Sequence, residues 1–105
     1  MSSIADDQGS RLQHQFCFEG TVLRTLDFTG VNLTAANLRR ADARDSVFVR
    51  VNFHDADMTG IDLRGADLTG AKNLTIEQLQ SAVIDEHTKL PDYTDRSRLT
   101  LAPAG

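Results

Sequence analysis

The side chains able to do chemistry are few in this chain, and most of them stand at regular intervals. Aspartates occupy positions 27, 42, 57, 62 and 67, all separated by multiples of five, and arginines at 24, 44 and 64 recur every twenty residues. His14, His54, His87 and the single Cys17 are scattered. Two carboxylates do acid–base work when their surroundings push their pKa values apart. A nucleophilic Ser or Cys needs a base within reach and a third group to orient it. No Ser or Cys here stands beside a His in a way that suggests activation. The aspartate series reads instead as turn chemistry, because short polar side chains hydrogen-bond to nearby backbone. One cysteine among scattered histidines offers neither zinc spacing nor an internal disulfide. Gly20, Gly30, Gly60, Gly65 and Gly70 form no phosphate loop; they share one phase of a five-residue period, where a turn needs a permissive residue. No catalytic, cofactor or metal site is expected.

The elements that must position these residues follow from that period. From Phe16 to Gly70 the chain divides into eleven consecutive five-residue units without a slip. The first residue of each unit is small or apolar, the second is usually Asp or Asn, the third is Leu, Phe or Met, and the last two are mostly polar or Gly. Five matches neither the helical period of 3.6 nor the strand period of 2. A helix would smear Phe18, Leu23, Phe28 and Leu33 around its circumference, and a flat strand would throw them to alternate faces. A chain that turns a corner every five residues buries them together, and four units then close a coil of twenty. Parallel coils stack about 4.8 Å apart, so residues twenty apart form columns: Phe28, Phe48 and Leu68; Phe18, Leu38 and Met58; Leu23, Ala43 and Leu63; Leu33 and Phe53. Ala43 is the one short member, so a small void or inward shift is expected there, with Ala43→Leu raising the melting temperature if the void exists.

The motif of Ala, then Asp or Asn, then Leu is carried by Ala36-Asn37-Leu38 and Ala66-Asp67-Leu68, with Ile61-Asp62-Leu63 close to it. Over residues 16 to 74 the chain resembles the pentapeptide repeat family, with local departures at Cys17, Val22, Ala43 and Val47. The resemblance implies an all-β solenoid, a right-handed quadrilateral β-helix of under three coils, and for most members no defined activity. A solenoid end exposes unpaired backbone and needs a cap. Thr75 as N-cap, Gln78 closing a capping box and Leu74 stapling onto Leu79 predict a short C-terminal capping helix from Ile76 to Ala82. The domains read as 1–15, a flexible leader or partial N-terminal cap; 16–74, the repeats; 75–90, capping helix and turn; and 91–105, a tail expected to be flexible, with packing back through Tyr93, Leu99 and Leu101 as the alternative.

Charge and surface bound the partners. Eleven basic against fifteen acidic residues give a net charge of −4, which argues against a dedicated nucleic-acid binder. No stretch approaches a membrane span and no signal peptide opens the chain, so the cytoplasm is the expected address. The stripe Arg24, Arg44 and Arg64 could grip an acidic or phosphate-bearing partner, against the reading of a solvated face offset by neighbouring aspartates. Val47 and Val49, expected to point outward beside Phe48, form a second candidate surface. The expected function is a non-catalytic protein-interaction or structural module with an unidentified protein partner, or a homodimer through the N-terminal coil edge near Cys17. Some family members mimic duplex DNA and act on DNA gyrase, so the alternative is a regulator of gyrase or another topoisomerase. Against it, residues 16–70 hold eight carboxylates and six arginines, a net of −2, and the stack would stand only roughly 13 Å tall at parallel-strand spacing.

Overall fold

A computed structural model describes residues 16–103. The expectation for residues 1–15 lies outside the described residues.

Every five-residue unit from Phe16 to Gly70 has the same local form: its second residue makes a bridge and its fourth and fifth make a turn. The turn is closed by a hydrogen bond from the first N–H of the next unit to the third carbonyl, as in Thr21 to Phe18, Ala36 to Leu33 and Ile61 to Met58, except after Leu23, where the Ser46 hydroxyl bridges the Leu26 N–H and the Leu23 carbonyl instead. Its fifth residue takes a positive φ, between 56° and 75° at every unit from Gly20 to Gly70. Glycine holds that conformation without a Cβ penalty, yet Thr25, Ala35, Arg40, Asp45, Arg50 and Asp55 hold it too.

The bridges are parallel and join residues twenty apart: Cys17 to Asn37, Val22 to Asp42, Asp27 to Val47, Asn32 to Asn52, and onward to Asn52 with Lys72. Each remains a single bridge because the chain turns again after five residues, before a longer ladder can form. Backbone pairing repeats around the coil, with Leu38 N–H donating to Asp57 O at 2.9 Å and Asp57 N–H donating to Ala36 O at 2.9 Å. First and third residues fill the interior. Ala36, Leu38, Ala41, Ala43, Ser46, Phe48, Val51, Phe53, Ala56, Met58, Ile61, Leu63, Ala66 and Leu68 are all buried. Phe28 and Phe48 stack with ring centres 5.1 Å apart and planes 2° from parallel, as one column requires. Ala43 is fully buried between its column neighbours.

Two buried hydroxyls show how the interior tolerates polarity. Ser46 Oγ donates to the Leu23 carbonyl and accepts from Leu26 N–H. Thr88 Oγ1 donates to the Leu63 carbonyl at 2.9 Å and accepts from Asp85 N–H. A buried hydroxyl with both roles filled avoids the penalty of an unpaired polar group.

Beyond the repeats, α1 spans Ile76–Gln80, with the Thr75–Gln78 capping box in place. It stops two residues before the sequence expectation because Gly60 N–H donates to Ser81 O and Val83 N–H to Ile61 O, which draws the chain back against the coil above. Pairing then resumes with altered spacing: Asp62 bridges Val83 and Asp67 bridges Lys89, intervals of 21 and 22 rather than 20. Leu74, Leu79 and Ile84 join the core cluster, and Leu90 and Leu99 pack against it. The last segment, expected from sequence to be flexible, lies against the coils over residues 91–103. The Tyr93 hydroxyl donates to the Ala71 carbonyl, Ala102 N–H donates to Ile84 O at 2.6 Å, and a 3-10 helix forms over Arg96–Arg98. Among the described residues no helix is long and apolar enough to cross a membrane.

Candidate functional site

The twenty-residue register brings Arg24, Arg44 and Arg64 into one stripe, and the same register interleaves them with Asp42 and Asp62. Arg24 Nε lies 2.9 Å from Asp42. Arg44 holds Asp42 through Nε and Nη2 at 3.0 and 3.1 Å and stands 3.8 Å from Asp62. Arg64 holds Asp62 in the same bidentate way, at 2.9 and 2.6 Å. The hydrogen bonds from Arg44 hold the Asp42 carboxyl below its usual range. Burial pushes Asp62 up, but Arg64 and the charge of Arg44 outweigh it and leave it lowered. Asp42 in turn raises Arg44. The stripe is thus a chain of alternating charges whose arginines each keep some N–H groups for solvent.

Beside the stripe lies a shallow cleft lined by Arg44, Asp45, Arg64, Gly65, Asp85, His87 and Pro103. Asp85 is committed there to backbone: it accepts from Gly65 N–H and His87 N–H at 3.1 and 3.0 Å. The sequence pattern did not bring Asp85 and His87 to this place, because they reach it through the 21- and 22-residue intervals that follow α1. Val47 and Val49, the second predicted surface, are half-buried.

The outward aspartates do what turn chemistry requires. Asp27, Asp57 and Asp67 each accept from the N–H and the hydroxyl of the threonine two residues on. That threonine hydroxyl is the main reason their carboxyls are held low. The three carboxylates are thereby committed to turns. Among the described residues, no three His, Cys, Asp or Glu side chains converge as a metal site, and His54 and His87 each stand beside an acidic chain neighbour.

The other distinctive surface is the open end of the first coil. First and third residues are buried from Leu33 to Ala71, but in the first coil Phe16 is 44% exposed and Leu26 45%, Phe18, Phe28 and Val31 are half-buried and Leu23 is buried, while the outward Val22 is 67% exposed. The rings form a stack, Phe16 on Phe18 at 5.8 Å and Phe18 edge-on to Phe28 at 6.2 Å. Asn37 N–H donates to Phe16 O and Phe18 N–H to Asn37 O, so the N–H and C=O of Cys17 point the other way, toward the open side. The same pairing at Asp42, Val47 and Asn52 turns those of Val22, Asp27 and Asn32 outward as well. Among the described residues these four have no backbone partner on that side.

A family model described as Pentapeptide repeats matches the chain in eight copies, over residues 27–65 and 46–74. Such repeats imply a β-helix and are generally non-catalytic. No curated protein matches the chain.

Proposed function

The chain belongs to the pentapeptide repeat family, and from that premise we propose that it is a non-catalytic protein-interaction module, a right-handed quadrilateral β-helix whose α1 covers one end while the first coil offers the docking surface. The observation that carries this reading is the contrast among inward positions: they are sealed from Leu33 onward, whereas Phe16 and Leu26 lie open, beside the exposed outward Val22 and backbone that turns toward the same side. An apolar edge with free N–H and C=O groups is a template for another chain. The arginine stripe is the lesser surface on this reading, because Asp42 and Asp62 already occupy much of its charge. A duplex mimic of the kind that acts on gyrase would want a more uniformly acidic face than this alternating one.

Cross-linking mass spectrometry on the full chain tests the proposal, alongside Val22→Lys and the triple Arg24→Glu/Arg44→Glu/Arg64→Glu protein, each checked for an unchanged circular dichroism spectrum. Cross-links to a protein partner, of any identity, should map to the first coil and vanish with Val22→Lys. Cross-links that survive Val22→Lys but vanish with the triple variant would place the docking surface on the stripe. A chain that contacts no protein at all would overturn the reading.

A further inference from the structure

We propose that the corner from Leu23 to Leu26 is a flap built into the coil, latched shut by the Ser46 hydroxyl of the next coil and able to open while the corners on either side of it stay closed. The flap stands whichever surface docks a partner.

Up to three features close a corner from within its own five residues: the hydrogen bond from the next unit's first N–H to the third carbonyl, an Asp or Asn at the second place, and a residue at the fifth place that tolerates positive φ. The unit from Thr21 to Thr25 has none of them. Among the described residues, Leu26 N–H makes no bond to Leu23 O, although every other unit from Phe16 to Gly70 makes the equivalent one. Val22 stands where Asp27, Asn32, Asn37, Asn52, Asp57, Asp62 and Asp67 each accept from the N–H two residues on. Thr25 is the β-branched residue among the non-glycine residues at positive φ, a conformation that branching at Cβ disfavours. Cys17 and Val47 also interrupt the Asp and Asn series, but their corners keep the closing bonds, from Thr21 to Phe18 and from Val51 to Phe48.

What holds the corner comes from the second coil. Ser46 Oγ, buried, accepts from Leu26 N–H at 3.3 Å and donates to Leu23 O, so one hydroxyl replaces the missing bond. Arg24 Nε reaches Asp42 at 2.9 Å. Thr25 N–H donates to Arg44 O at 3.2 Å, the longest backbone bond between those two coils. On either side the chain is tied more closely, with Leu23 N–H on Asp42 O at 2.6 Å and Val47 N–H on Leu26 O at 2.8 Å. These ties are the hinges, and Arg24 and Thr25 are the part that swings. Segments that open locally are those with the fewest interactions to break. Opening parts Arg24 from Asp42, which leaves Asp42 to Arg44 and presents Arg24 as an unshared cation at the end of the stripe.

Native-state hydrogen exchange on the full chain, followed by NMR, reads the flap amide by amide. After correction for intrinsic rates, Leu26 should exchange about tenfold faster than Thr21 and Val31, the equivalent amides of the flanking corners, as the loss of roughly one hydrogen bond implies. Fraying from the chain start would make Thr21 the fastest of the three, and that order, or equal protection, overturns the proposal. Ser46→Ala should speed Leu26 and Thr25 further and leave Val31, Ala36 and Ile61 unchanged. An unchanged or slower Leu26 in that variant, or a rise shared equally by all coils, contradicts the latch. Val22→Asn/Thr25→Gly restores two of the missing features at exposed places, so it should bring Leu26 close to the rate of Val31. A Leu26 rate left at the wild-type value would contradict the flap even if Ser46→Ala failed to fold.

Discussion

Thr25 holds a positive φ of 59° with a branched Cβ, which no turn geometry favours. It is exposed, and its hydroxyl reaches only the neighbouring Arg24 carbonyl. Thr25→Gly should therefore raise stability by on the order of 1 kcal/mol, since relief of left-handed strain exceeds the added chain entropy; thermal unfolding measures it, and a loss would mean Thr25 contributes packing. The converse holds at the glycines. An added methyl at Gly30 meets nothing, whereas at Gly60 it comes 3.1 Å from Arg40 Cγ in the coil above, and both sit near +70°. Gly60→Ala should cost more than Gly30→Ala in the same unfolding experiment, and equal costs would contradict the stacking of Arg40 over Gly60. In the interior, Phe48 is fully buried between Phe28 and Phe53, so Phe48→Ala should cost about 3–5 kcal/mol.

At the scale of elements, Gln78 connects α1 to the coils. Its Oε1 accepts from Thr75 N–H at 2.8 Å, while its Nε2 donates to the carbonyls of Phe53 and Ala56 at 2.9 and 3.0 Å. Gln78→Ala removes the box and strands two coil carbonyls, which should cost about 1–3 kcal/mol, more than the roughly 1 kcal/mol expected of Thr75→Ala as a lost cap. Denaturant titration of the two variants separates them, and equal effects would mean that the Gln78 amide adds nothing beyond the box. The capping box and the inward phase of the repeats were legible in sequence because each depends on residue type at fixed spacing. The return of Val83 and Lys89 to the ladder was not, because five residues of helix replace one side of the coil and shift the interval from 20 to 21 and then 22. A period-five frame is blind past that shift, and so the reading also missed Asp85 and His87 beside Arg64. The arginine stripe was legible as a column. Its pairing with Asp42 and Asp62 depends on side-chain reach, which periodicity does not encode.

Across the whole molecule, the carboxylates share one electrostatic tendency. Asp27, Asp42, Asp57, Asp62, Asp67, Asp85 and Asp95 are all held below their ordinary range by hydrogen bonds and neighbouring charge. A carboxyl lowered in the folded state contributes stability that is complete above its unfolded pKa, about 3.9 for Asp, and is lost as pH falls through the folded value. The melting temperature should therefore hold steady from neutral pH down to about 5 and fall steeply below about 4. A decline that sets in between pH 7 and 5 would contradict this account. One geometric fact underlies the whole fold: residues twenty apart stand directly above one another. Through-space proton NMR contacts between backbone atoms of Asn32 and Asn52, and of Asp42 and Asp62, test it most directly. The coil predicts strong contacts at those pairs and at every other twenty-residue interval among the repeats, and contacts confined to neighbours three or four residues apart would contradict it.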